Sequence, residues 1–144
     1  MALNSDPFEL QRFVDAQQGI FDTALSEIRS GAKRSHWMWF VFPQLAGLGL
    51  SATSQRYAIR SLEEARAYLQ HPVLGPRLGQ SVEAILAWAG EREAVAILGS
   101  VDAMKLRSSL TLFHVAAPQA TLFGRALAAF FDSPDPATVR LLGA

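Results

Sequence analysis

The chain has 144 residues, no cysteine, and 13 Lys+Arg balanced by 13 Asp+Glu. That length is one domain's worth, residues 1–144, and long enough to build a core without staples. Zero net charge without a basic stripe argues against a nucleic-acid binder, and the missing thiols exclude disulfides, thiolate zinc sites and cysteine nucleophiles.

The first segment reads as a helix. Asp6 can cap it, Pro7 suits its first turn and Glu9 can answer the cap. Leu10, Phe13, Val14, Phe21, Leu25 and Ile28 follow a 3.6-residue period up to a stop at Ser30-Gly31. Gln17 breaks that apolar stripe. It is either a core amide bonded to backbone or a pocket-lining residue. Met1–Asp6 has no basic or apolar leader, and no apolar run approaches the ~18 residues of a membrane span. A soluble cytoplasmic protein with no membrane partner is expected.

The densest feature is Ser35-His36-Trp37-Met38-Trp39-Phe40-Val41-Phe42-Pro43-Gln44, with two of the chain's three tryptophans. So much rigid aromatic surface must anchor the core or wall a pocket, and polar His36 and Gln44 close its ends. No second strand-like run exists to pair with it, so it reads as a short buried helix capped by Ser35 and ended by Pro43. The basic group Lys33-Arg34, with Arg29 nearby, reads as a solvated helix end.

Gly47-Leu48-Gly49-Leu50-Ser51 is a loop whose glycines do not make a phosphate fingerprint. A helical turn over residues 51–59 carries Ser51, Ser54 and Tyr57. Helices follow over about 62–69, with a Ser61/Glu64 capping box, and over 73–89, broken apart at His71-Pro72. A short helix over 93–98 ends at Gly99, and Gly99 and Asp102 separate it from one over about 103–116. A helix over 121–131 and a terminal one after Pro136 complete an all-α, single-domain helical bundle of irregular topology, with Trp37, Trp39, Phe40, Phe113 and Phe130 in its core.

Polar residues in apolar company are the candidates for chemistry. Leu106, Leu110, Phe113 and Ala117 form a core stripe, and Lys105, Ser108 and Ser109 fall on a neighbouring face. Lys105 is either a snorkelling surface lysine or an anion-binding or hydroxyl-activating group. No two of the histidines at 36, 71 and 114 stand at helical ligand spacing, so no metal site is expected, and no cofactor. His71 reads as a turn residue. His36 is the best proton-transfer candidate if tryptophan burial tunes it, and otherwise a structural residue.

Several blocks resemble a bacterial family catalogued as domain of unknown function 1810. They are Ala16-Gln17, His36 to Gln44, Ser51-x-x-Ser54-x-x-Tyr57-Ala58-Ile59, Tyr68-Leu69-x-His71-Pro72-x-Leu74-Gly75, and Asp102-x-x-Lys105-Leu106-x-Ser108-Ser109-x-Thr111-Leu112-Phe113. The resemblance implies a mainly helical domain with no assigned activity. A looser likeness, carried by Leu112-Phe113 after Lys105 and by the acidic turn after Phe131, is to helical N-glycosidases acting on ADP-ribose-type and riboflavin-pathway intermediates.

Two readings follow. In the first, the chain binds a nucleotide-like or aromatic metabolite and could act on it as an N-glycosidase-like hydrolase. Trp37 and Trp39 would stack on the ligand, Gln17, Gln44 and Tyr57 would orient it with Ser51, Ser54, Ser108 and Ser109, and His36 and Lys105 would transfer protons or hold an anion. In the second, the chain is a non-enzymatic interaction module with an apolar docking face. A mean hydropathy of +0.16 favours self-association into a homo-oligomer.

Overall fold

A computed structural model describes residues 6–143; Met1–Ser5, most of the stretch read as lacking a leader, lies outside them. The chain is helical throughout: α1 (Gln11–Gln17), α2 (Phe21–Arg29), α3 (Met38–Val41), α4 (Ala52–Arg56), α5 (Leu62–Gln70), α6 (Leu74–Leu86), α7 (Ala94–Leu98), α8 (Ser100–Ala116), α9 (Thr121–Phe130) and α10 (Pro136–Leu142). Among the described residues, extended pairing is limited to one parallel bridge, Leu45 with Ile59. Among the same residues, no helix is long and apolar enough to cross a membrane.

The long first helix is two. Glu9 takes a left-handed φ of 55°, so helix begins only at Gln11, and the Asp6 carboxylate accepts the amides of Leu10 and Gln11 at 2.8 and 2.9 Å. Gly19 at φ 72° then ends α1 and turns the chain into α2, a conformation glycine adopts without steric cost. The aromatic run does form a short helix, but its cap is not Ser35: Trp37 holds that place without a side-chain capping bond. Ser51, Ser61 and Asp135 do cap, accepting the amides of Ser54, Glu64 and Thr138. Glu64 answers the amide of Arg60 instead of that of Ser61. His71 Nδ1 accepts the amides of Val73 and Leu74 and so starts α6.

Helix α8 is the axis, packed against α5, α7, α9 and α10. Enclosure from several sides is why most of its expected polar face is buried: Ser108 and Ser109, with Thr111, are as hidden as Leu106, Leu110 and Phe113. Helix α8 also starts three residues earlier than the sequence pattern indicates, so Asp102 lies in its first turn and not in a separating loop. The core runs through Phe13, Trp37, Phe40, Phe42, Tyr68 and Phe113, while Trp39 and Phe130 pack against it half-buried.

Arg12 ties the two ends of this arrangement together. Its guanidinium uses every N–H donor: Nε to Arg56 O, Nη1 to Phe8 O and Glu9 O, Nη2 to Ala58 O and to Glu64 Oε2, the last at 2.8 Å. Glu64 is 2% exposed. Arg12→Met leaves that carboxylate without its cation, so the variant loses about 3 kcal/mol and roughly 10 °C in Tm by thermal melting. Adding Glu64→Gln to Arg12→Met recovers part of the loss; an unchanged Tm for Arg12→Met alone would refute the clamp.

Candidate functional site

The polar groups that flank the aromatic run form two separate constellations. The first precedes it. Glu27 on α2 receives four bonds from the loop that leads into α3: the amides of Arg34 and Ser35 and the Trp37 indole N–H reach Oε1, and the Ser35 hydroxyl reaches Oε2 at 2.6 Å. This is where the Ser35 hydroxyl goes in place of a helix cap. Burial pushes the Glu27 pKa up, but the bonds from Ser35, Arg34 and Trp37 outweigh it and hold it at about 2. On the other side of the loop, Lys33 donates to Ser35 O at 2.6 Å and meets Asp102 Oδ2 at 3.0 Å. Lys105 lies 3.7 Å from Asp102 Oδ1, and its ammonium sits 5.0 Å from the centre of the Trp39 ring. Lys33 is therefore not a solvated helix end. It and Lys105 share one carboxylate, which fastens the aromatic run to α8.

Several expected ligand contacts are occupied by these structural tasks. Trp37 is fully buried and has no face left to stack on a ligand. His36 is exposed, so the tryptophan burial that was to tune it is absent. Lys105 is committed to Asp102 and Trp39. Gln17 is a core amide: Nε2 donates to Phe40 O at 2.7 Å and to the Tyr68 hydroxyl, and Oε1 accepts from Arg77. Burial raises the pKa of that tyrosine. Tyr57 packs its ring between Phe13 and Phe40. Thr138 gives its hydroxyl proton to Asp135, so Ser108 must donate to Thr138 across 3.0 Å, which docks α10. Ser109 is 1% exposed, and its hydroxyl finds no partner among the described residues.

The second constellation follows the run and is concave. A cleft of about 230 Å³ lies between the 44–49 loop and α4, lined by Gln44, Leu45, Ala46, Gly47, Gly49, Ser54, Gln55, Ala58 and Arg60. Its walls are held by the lone bridge: Ile59 N donates to Gln44 O at 2.8 Å and Ala46 N to Ile59 O at 2.7 Å. Gly49 lies directly on Ser54, where an added Cβ would stand 2.5 Å from the serine Cβ. Ser51 is the N-cap beneath, and its hydroxyl bonds that of Ser54 at 2.9 Å. Gln55 spans the loop by donating to Leu50 O. Among the described residues, the Arg60 guanidinium has neither a carboxylate within 4.0 Å nor a hydrogen-bond acceptor.

Of the sequence candidates, then, Gln44 and Ser54 share a cleft with Ser51 behind them, while Trp39, Lys105 and His36 belong to the other constellation. Sequence reasoning missed Arg60, Glu27 and the role of Lys33. Arg60 is a single cation before a cap serine, and Glu27 is one carboxylate on the outer face of a helix. Neither carries a local signal.

The architecture is that of a small all-α protein built around one central helix and an aromatic run. More particularly, residues 7–142 match the family described as "Protein of unknown function (DUF1810)", and the chain belongs to that family. The crystal structure of the conserved hypothetical protein Rv1873 from Mycobacterium tuberculosis is similar to it at a TM-score of 0.93 and 47% identity, covering 96% of this chain and 99% of that one. No curated protein matches the sequence.

The Glu27 clamp gives a pH test. Its folded pKa is depressed, so its contribution is complete above the ordinary value of 4.5 and is lost as pH falls toward about 2. Denaturant melts between pH 6 and 2 will show the wild type losing stability through that window. Glu27→Gln will be less stable at pH 6 and will have a shallower acid slope; parallel curves would contradict the assignment.

Proposed function

We infer that the protein binds a small anionic metabolite in the Gln44–Ser54–Arg60 cleft. The observation that carries this reading is the Arg60 guanidinium, without a carboxylate or acceptor among the described residues, at the edge of a concavity that also presents an amide and a hydroxyl. A guanidinium is a planar, permanently charged fork suited to carboxylate or phosphate. Gln44 and Ser54 can complete the shell of such an oxyanion, and Leu45, Ala46 and Ala58 give it a dry wall. The volume suits a single phosphate-bearing or carboxylate-bearing group and falls short of a whole dinucleotide. A nucleotide-like ligand would therefore enter by its phosphate end.

Binding is better supported than turnover. N-glycosidase-like hydrolysis draws on carboxylates beside the scissile bond, and the residues lining this cleft include none. A second reading rests on a different surface. Val101 and Met104, one turn apart on α8, are 66% and 71% exposed, which favours docking of a partner or of a second copy there.

Thermal-shift titration with inorganic phosphate, pyrophosphate and a panel of small carboxylates tests the cleft, because a ligand that binds only the folded state raises Tm. We expect at least one of these anions to stabilise the wild type. Arg60→Met should abolish that shift, and Ser54→Ala should weaken binding about tenfold to a hundredfold, the worth of one hydrogen bond to a charged group. A shift that survives Arg60→Met would place the anion elsewhere.

A further inference from the structure

Arg60 stands where three depressions meet. One is the cleft above. The second, of about 320 Å³, shares Leu45, Ala46 and Arg60 with it and continues over Leu62, Leu141 and Leu142. The third is a charged surface hollow between Asp6, Glu9, Asp15 and the arginines Arg12 and Arg56. The first two are joined at the loop: an added Cβ on Gly47 would lie 3.5 Å from Leu141 Cδ1, so α10 leans against the wall that both share.

The second depression mixes polar and leucine lining, and beyond Arg60 its polar groups offer little to another anion, whereas its leucines offer surface to a hydrocarbon. Its hydroxyl, Ser61, is already used as the α5 cap, accepting the Glu64 amide at 3.1 Å. Its acid, Glu63, is exposed on the rim and would repel a second negative group. What remains, beside Ala46 and Arg60, are leucine side chains, of which Leu141 is 53% exposed.

We propose that the ligand is an amphipathic anion, with its phosphate or carboxylate on Arg60 in the polar cleft and an uncharged apolar body lying along Leu45, Leu62, Leu141 and Leu142. The proposal rests on the anion-cleft reading and deepens it. The juxtaposition of a guanidinium with no partner among the described residues and the leucines of the adjoining depression carries it. Each methylene that leaves water on these leucines tightens binding by about twofold to fourfold.

The test is a calorimetric series on the full chain with inorganic phosphate and with ethyl, butyl and hexyl phosphate, all below their aggregation limits. We expect Kd to fall along the series for the wild type. Leu141→Ser should flatten the series while leaving the Kd for inorganic phosphate within about twofold. Arg60→Met should weaken every member. A Kd independent of chain length would overturn the amphipathic proposal and leave the anion cleft standing. A wild-type chain-length gain that Leu141→Ser does not reduce would also overturn it, since the alkyl group then lies elsewhere. Failure of every phosphate to bind the wild type, with small carboxylates also silent, would remove the cleft reading itself.

Discussion

The Arg12–Glu64 clamp is the interaction on which the candidate site depends. Arg12 starts in α1, yet its donors end on the carbonyls of Arg56 and Ala58 and on Glu64. Glu64 in turn accepts the amide of Arg60 at 3.0 Å. One guanidinium and one carboxylate therefore fix the backbone over residues 56–60, the stretch that supplies both the bridge to the 44–46 segment and the free cation of the cleft. A buried ion pair is an uncertain source of net stability, because desolvation offsets its attraction. Its value here is positional. It holds an irregular segment, which no helix or sheet ladder could hold, against one end of the aromatic run.

The other end of the run is fixed by a different device. Glu27 gathers four donors from the loop over residues 34–37, and the Lys33–Asp102–Lys105 triad pins that loop and Trp39 to α8. With both ends tied, four helical residues are enough for the run to place Trp37, Phe40 and Phe42 in the core, with Trp39 half-buried against it. The polar groups around Trp37 are thus consumed in holding it. Those around Gln44 are left with capacity, since the bridge there satisfies backbone and leaves the side chains of Gln44 and Arg60 unbonded among the described residues. This asymmetry is the physical reason for placing ligand binding after the aromatic run and not before it.

How much of this was legible follows from the range of each interaction. Caps at Ser51, Ser61 and Asp135 are local chemistry; the sequence pattern locates the one at Ser61, along with most helices and the all-α class. The break at Gly19 was hidden because the apolar period continues across it from Phe13 to Phe21. Ser35 was misjudged as a cap because its real partner, Glu27, precedes it by eight residues with a chain reversal between. Gln44, Ser51 and Ser54 could be singled out as polar residues beside apolar ones, but Arg60 becomes meaningful only once the Leu45–Ile59 bridge closes the cleft. The burial of Ser108 and Ser109 was not legible because periodicity cannot tell a helix with one buried face from α8, which neighbours enclose on several sides.

The central claim is that Arg60 and the 44–55 segment form an anion site. Amide chemical-shift mapping during titration with inorganic phosphate addresses it most directly, with the Arg60 side-chain Nε–H followed in the same spectra. Saturable shifts confined to residues 44–55 and 58–60, with the Arg60 Nε–H moving most, are predicted. Shifts centred on Lys33, Trp39 and Lys105, with the 44–60 region silent, would contradict the account.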